Sequence, residues 1–168
     1  VQHVLRTIAE TTGGDSAANA QFRLHCVKSY GEFLDSRRAL PDNMYKVMAW
    51  VLGQYGLLDV GRDPLVLVDR LLELMQQPFE DKETQTWILA ALLKLTARLP
   101  GRLCPFLTEE LHNVLEACQA SPSTNLQQLS AVFDRLRTRP DMLAALGVDD
   151  GALQVDRSLG FLDAMVQE

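Results

Sequence analysis

The sequence has few of the residues that build metal sites, disulfide frameworks or catalytic centres. Its 168 residues include three cysteines and three histidines. The cysteines, at Cys26, Cys104 and Cys118, are too scattered for a zinc motif built from closely spaced cysteine pairs. An odd cysteine count without a secretion signal predicts reduced thiols in the cytosol. We therefore expect no metal site and no cofactor, and we expect Cys26 and Cys118 to serve in packing.

The histidines show no catalytic pattern either. His25 is next to Cys26, but adjacent residues on a helix point about 100° apart and do not face each other. His112 follows two glutamates without the HExxH spacing that places two ligands one turn apart, and His3 is isolated. We expect no catalytic residues. The alternative is a small helical enzyme that uses Cys26 as nucleophile and His25 as base.

The chain also lacks a long apolar run and an excess of positive charge. Its longest strongly apolar run, residues 87–93, is far shorter than the roughly 20 residues of a membrane-spanning helix. A net charge of −6 disfavours non-specific nucleic-acid binding, which depends on Lys and Arg neutralising phosphates.

Local clusters of basic residues nevertheless occur. We interpret them as solvated helix ends, where a cation interacts favourably with the helix dipole. The alternative is a weak contact with acidic partners or anionic lipid headgroups. The clusters are Arg37 with Arg38, Arg98 with Arg102, and Arg135 with Arg137 and Arg139.

What the sequence does contain is a regular succession of amphipathic helices. Taking every second helix start gives two interleaved series whose members are 37 to 44 residues apart. This is close to the roughly 40 to 47 residues of HEAT and armadillo repeats. The pattern predicts an all-α, HEAT/armadillo-like α-solenoid of antiparallel helix pairs. The predicted starts are Asn19, Asn43, Asp63, Glu80, Cys104 and Ser121.

The segment from Trp50 to Gly56 is the most informative part of one such helix. Gly53 lies inside the helical pattern, where glycine costs about 1 kcal/mol relative to alanine, so close approach by a neighbouring helix is a plausible compensation. Tyr55 ends the apolar stripe, and Gly56 offers either a helix end or a second close contact. Trp87 is expected at the edge of a later helix.

Sequence signals also predict where helices begin. Asp63-Pro64 and Ser121-Pro122 each combine a capping side chain with a proline suited to the first turn. At the N-terminus the pattern is already helical. Val1, Val4, Leu5 and Ile8 share one face, and no initiator Met precedes them. We expect a piece of a longer chain whose N-terminal apolar stripe is uncovered and promotes self-association.

Four blocks in this order resemble the large adaptins: residues 21–30, 47–56, 86–96 and 158–163. The Trp-Val-Leu-Gly-x-Tyr pattern that begins at Trp50 resembles the family at large. The chain departs from the family pattern at Gln54, where an acidic residue is usual, and around residues 101–105 and 121–125. Together the blocks extend over nearly the whole chain.

The resemblance implies a structural role without catalysis. Residues 1–168 would be the C-terminal part of a curved helical trunk, with a less regular tail from about residue 140. The partners implied are a beta adaptin, a medium and a small adaptor subunit, and a GTP-bound Arf-family GTPase. The implied function is cargo sorting into vesicles, peripherally at the trans-Golgi network membrane. A coatomer-type or karyopherin-type helical scaffold is the alternative.

Overall fold

The computed structural model describes residues 1–10, 16–99, 103 and 105–143. The described residues form α-helices with no strand among them, and a short 3₁₀ turn, Gly56–Leu58, follows the third helix. The helices are α1 Gln2–Glu10, α2 Ser16–Asp35, α3 Asp42–Tyr55, α4 Pro64–Met75, α5 Lys82–Arg98, α6 Pro105–Gln119 and α7 Thr124–Arg137.

The helices stack in two rows. Each helix of the odd row, α1, α3, α5 and α7, packs on the next member of that row, and α2, α4 and α6 form the even row in the same way. The pairs α2/α3, α4/α5 and α6/α7 join the rows. Even-row helices begin about 48 and 41 residues apart, and those from α3 to α7 about 40 and 42 apart. This arrangement confirms the predicted all-α solenoid of paired helices.

The two predicted capping signals, Asp63-Pro64 and Ser121-Pro122, have different outcomes. The Asp63 carboxylate accepts a hydrogen bond from the Leu65 N–H at 2.9 Å, and Pro64 occupies the first turn, as predicted. The prediction of a cap at Ser121-Pro122 is wrong. The Ser121 side chain instead accepts the Ser123 N–H at 3.3 Å in a preceding turn, and α7 begins at Thr124.

The other starts differ by a few residues, for local reasons. Helix α2 begins at Ser16, ahead of the predicted Asn19, and α5 begins at Lys82, behind the predicted Glu80. At α5 the Asp81 carboxylate accepts the Glu83 N–H at 2.9 Å, so Asp81 is the capping residue. The capping residue therefore locates the start of α5 more accurately than the apolar stripe does.

The core is centred on α3 and α5, which make the most extensive helix contact of the structure. The apolar stripes of the predicted helices are buried, apart from Met44 at the exposed start of α3 and the partly buried Leu65, Leu129 and Leu136. Fully buried side chains include Val51, Leu52, Val68, Leu71, Leu72, Ile88, Leu92, Leu95 and Phe133. No described helix is long and apolar enough to cross a membrane.

The predicted N-terminal stripe is only half exposed. Val1 and Val4 are exposed, whereas Leu5 and Ile8 belong to the buried core. Helix α1 packs on α3, and Leu5 and Ile8 are part of the shared hydrophobic core. The expectation that all four side chains are uncovered is therefore wrong for Leu5 and Ile8.

Several sequence predictions fall outside the described residues. They are Cys104, Arg102, the resemblance block at residues 158–163 and most of the tail predicted from residue 140. Of that tail, residues 140–143 are described and are helical.

Candidate interaction surface

The contact between α3 and α5 depends on Gly53. A Cβ atom added to this residue would lie 2.7 Å from the Ala91 Cα and 2.8 Å from the Ala91 Cβ. These distances are below normal van der Waals contact, and the nearest atom is backbone, which cannot turn aside. The absence of a side chain at Gly53 thus allows the two helices to approach, as the sequence pattern suggested.

The residues that end α3 are packed on several sides. A Cβ at Gly56 would meet the Leu67 side chain of α4 at 2.7 Å. The Tyr55 and Trp50 rings make an edge contact with centroids 5.7 Å apart, and the Arg23 guanidinium lies 5.1 Å from the Tyr55 ring centroid. This end of α3 therefore joins both rows of the solenoid.

Two cations of α5 meet Gln54 at the same end of α3. The Lys94 ammonium donates to the Gln54 side-chain oxygen at 3.1 Å, and the Arg98 guanidinium donates to the Gln54 backbone carbonyl at 2.6 Å. Gln54 is buried and both cations are partly buried. Burial, and secondarily the charge of Arg98, lowers the pKa of Lys94. The interpretation of Arg98 as a solvated helix end is wrong, because it caps a carbonyl of α3.

A different polar contact joins the starts of the two helices. The Lys46 ammonium, on a side chain that is 8% exposed, forms an ion pair with Asp81 and a longer one of 3.5 Å with Glu83. The Asp81 N–H donates to the Asp42 carboxylate at 2.6 Å. The hydrogen bond to Asp81 raises the pKa of Lys46 and, reciprocally, lowers that of Asp81. Here the buried cation has its carboxylate partners.

These two polar contacts show that α3 and α5 run parallel. Lys46 near the start of α3 contacts Glu83 near the start of α5, and Gln54 near the end of α3 contacts Lys94. Residues about 37 to 40 apart in sequence are thus neighbours across the contact between α3 and α5.

Both tryptophans of the chain lie between the two polar contacts. Trp50 is four residues after Lys46 and four before Gln54, a spacing that places all three on one side of α3. Trp87 is seven residues before Lys94, which places it on the corresponding side of α5. Both are partly buried against the core. We call this surface the α3–α5 face. It consists of Lys46, Trp50, Gln54, Trp87, Lys94 and Arg98.

The remaining basic clusters have internal partners. The Arg37 guanidinium pairs with Glu73 of α4 at 2.9 Å, and Arg137 pairs with Asp134 at 2.6 Å. Arg37 adopts a positive φ of 50° at the end of α2, a conformation that is uncommon for residues with a side chain. The Arg37–Glu73 contact ties the end of α2 to α4.

The cysteines and histidines do not assemble a reactive site in the described part of the chain. His25 is exposed while Cys26 packs against the core, and burial raises the pKa of the Cys26 thiol. Cys118 is buried at one side of a cleft of about 400 Å³, and burial raises its pKa to about 11. Thiols that stay protonated at neutral pH are weak nucleophiles. Within the described ranges, no group of three or more metal-ligating side chains is close enough to hold an ion.

The Lys46 pair predicts a pH-dependent contribution to stability. Because the folded-state pKa of Asp81 is lowered, its contribution is present above the ordinary value of 3.8 and is lost as the pH falls through the lower folded value. We expect Asp81→Asn, which can still cap α5, to lower the melting temperature at pH 7. That difference should shrink as the pH falls below 3.8. Thermal unfolding followed by circular dichroism checks this.

Glu80→Gln is the matched control, since Glu80 is the exposed residue beside Asp81 and has no ion pair within the described structure. Equal melting temperatures for the Asp81→Asn and Glu80→Gln variants at pH 7 would contradict a stabilising role for the pair.

The two rows of helices and the close α3–α5 contact define a helical-repeat scaffold. Sequence comparison identifies proteins that are similar to this chain. The chain is 31% identical to human AP-4 complex subunit epsilon-1 over 98% of its length, and 30% identical to the mouse protein of the same name over 100%. It is 29% identical to AP-4 complex subunit epsilon of Arabidopsis thaliana over 99%. The resemblance to the large adaptins is confirmed, and these three relatives are epsilon subunits of AP-4 complexes.

The chain spans only a small part of these relatives, 14% of the human protein, 15% of the mouse protein and 18% of the plant protein. No protein-family model and no solved structure matches it.

The sequence-predicted site residues and the α3–α5 face overlap only in part. Trp50 and Trp87 lie on the face, while Gly53, Tyr55 and Gly56 hold α3 in place beneath it. The sequence reasoning missed Lys46, Gln54 as a bonding partner, and Lys94. A usable signal was present, because a Lys inside an apolar helix stripe is seldom fully buried without a partner.

Proposed function

We propose that this chain is a C-terminal portion of the trunk of a large adaptor-complex subunit, and that it acts as a scaffold and not as a catalyst. The observation that carries the proposal is the similarity to AP-4 epsilon subunits along nearly the whole chain. The two-row helical stack supports it, because such stacks present extended surfaces for partner proteins.

In this proposal the mechanism is geometric. The stacked helices hold a beta adaptin, a medium subunit and a small subunit at fixed spacing. Contacts of each subunit with cargo or membrane then reinforce one another through effective concentration. An Arf-family GTPase in its GTP-bound state would recruit the complex to the trans-Golgi network, where it sorts cargo into vesicles.

The test uses the full-length protein that contains this chain, carrying an affinity tag at its native expression level. We expect co-purification of one beta adaptin, one medium and one small adaptor subunit in equal amounts, measured by quantitative mass spectrometry. We also expect perinuclear membrane staining that disperses when Arf nucleotide exchange is inhibited. A tagged subunit of another adaptor complex is the control. Recovery of coatomer subunits or nuclear-transport proteins in place of the three adaptor subunits would contradict the proposal.

A further inference from the structure

The α3–α5 face carries two cations that lack a carboxylate partner within the described residues. Five other cations of the described chain each form an ion pair with a carboxylate. Lys94 and Arg98 instead contact the neutral Gln54, through one hydrogen bond each. The carboxylate-paired cations are Arg37, Lys46, Arg62, Arg70 and Arg137.

Most hydrogen-bond donors of both groups have no partner within the described part of the protein. An ammonium has three donors and a guanidinium five, and in the structure Lys94 and Arg98 each use one of them on Gln54. An amide oxygen offsets the desolvation of a cation less well than a carboxylate does, because the amide has no net charge to attract the cation. Two like charges held together in this way favour an acidic ligand.

The setting of the two cations favours a protein ligand over a lipid surface. Both are partly buried, so a flat layer of headgroups reaches them less easily than a single inserted side chain does. The partly buried Trp50 and Trp87 lie on the same face. Tryptophan and arginine are the residues most enriched at the energetic centres of protein interfaces.

We propose that the α3–α5 face docks an acidic segment of a partner subunit, whose Asp or Glu carboxylate pairs with Lys94 and Arg98 while an adjoining apolar side chain packs on Trp50 and Trp87. This inference rests on the proposed function, since it presumes assembly with other subunits. It adds the surface and the chemistry of the contact.

The first experiment is zero-length carbodiimide coupling on the purified full-length complex, followed by peptide mass spectrometry. Carbodiimide joins an amine to a carboxylate only when the two are in contact. We expect Lys94 to be linked to an Asp or Glu of another subunit. A link only to residues 144–168 of this chain, or no link from Lys94 while other lysines couple, would overturn the proposal.

The second experiment compares charge variants in the full-length protein. Lys94→Glu with Arg98→Glu should weaken binding of the cross-linked subunit by about tenfold or more, the scale of losing a buried interface charge pair. The matched control is Lys28→Glu with Arg38→Glu, which makes the same change in net charge at exposed positions of α2 and the turn after it. We expect the control to bind as the wild type does.

Gln54→Glu separates binding from folding. The new carboxylate would pair with Lys94 and Arg98 inside the chain, so we expect an unchanged or higher melting temperature together with weaker subunit binding. If Gln54→Glu and the Lys94→Glu, Arg98→Glu variant both bind the partner subunit normally, the inference is overturned and the proposed function remains intact. Failure of the wild-type protein to recover any adaptor subunit would instead overturn the proposed function.

A vesicle arm tests the membrane alternative. Liposomes of phosphatidylcholine with added phosphatidylinositol phosphate, whose headgroup attracts basic clusters, are sedimented with the wild-type complex and with the Lys94→Glu, Arg98→Glu variant. We expect equal sedimentation of the two. Loss of vesicle binding in the reversed variant, with its subunits still assembled, would assign the face to lipid and overturn the proposal.

Discussion

Gly53→Leu is expected to destabilise the chain by roughly 1 to 3 kcal/mol, the cost of forcing extra atoms into a packed interface. A Cβ alone would already lie 2.7 Å from the Ala91 Cα, and leucine adds three further carbons. The gain in helix propensity on replacing glycine, about 1 kcal/mol at most, is too small to compensate. Chemical denaturation followed by circular dichroism measures the change.

Gly61→Ala is the matched control for the glycine substitution. Gly61 is exposed in the turn between the 3₁₀ segment and α4, and a Cβ there meets only the Asp59 side chain, at an ordinary 3.5 Å. We expect this variant to be neutral or slightly stabilised. A Gly53→Leu variant as stable as Gly61→Ala would mean that α3 and α5 can separate without loss.

The architecture was predictable from the sequence because it depends on local periodicity. Each helix has an apolar stripe wide enough to recognise, and a repeat near 40 residues specifies the stacking of alternate helices. Gly53 could be recognised because glycine is unfavourable inside a helix unless a neighbour needs the space. These features require only the sequence near one helix and the length of one repeat.

The polar contacts of the α3–α5 face could not be predicted in the same way. Gln54 and Lys94 are 40 positions apart, and their contact depends on the register of two helices to within one residue. A basic residue near the end of a helix is usually solvated, so Arg98 gave no signal of its own. The prediction that α7 starts at Ser121 was wrong for a related reason: a Ser-Pro pair also suits the turn that precedes a helix.

Phe133→Ala is expected to lower the free energy of unfolding by about 3 to 5 kcal/mol, the usual range for removing a buried aromatic side chain. Phe133 is fully buried in α7, which packs on α6 and α5. Val132→Ala is the control, because the neighbouring Val132 points about 100° away from Phe133 on the same helix and is 48% exposed. We expect the control to change stability little.

The distribution of the Phe133→Ala effect tests the architecture itself. In a stack of repeats each helix pair contacts only its neighbours, so a defect in the last pair opens that pair before it affects distant ones. We expect amide hydrogen exchange to accelerate in α6 and α7, less in α5, and least in the α1–α3 contact at the other end. Equal acceleration in every helix would show that the chain unfolds as one cooperative globule, in which case the rows of helices do not behave as repeats.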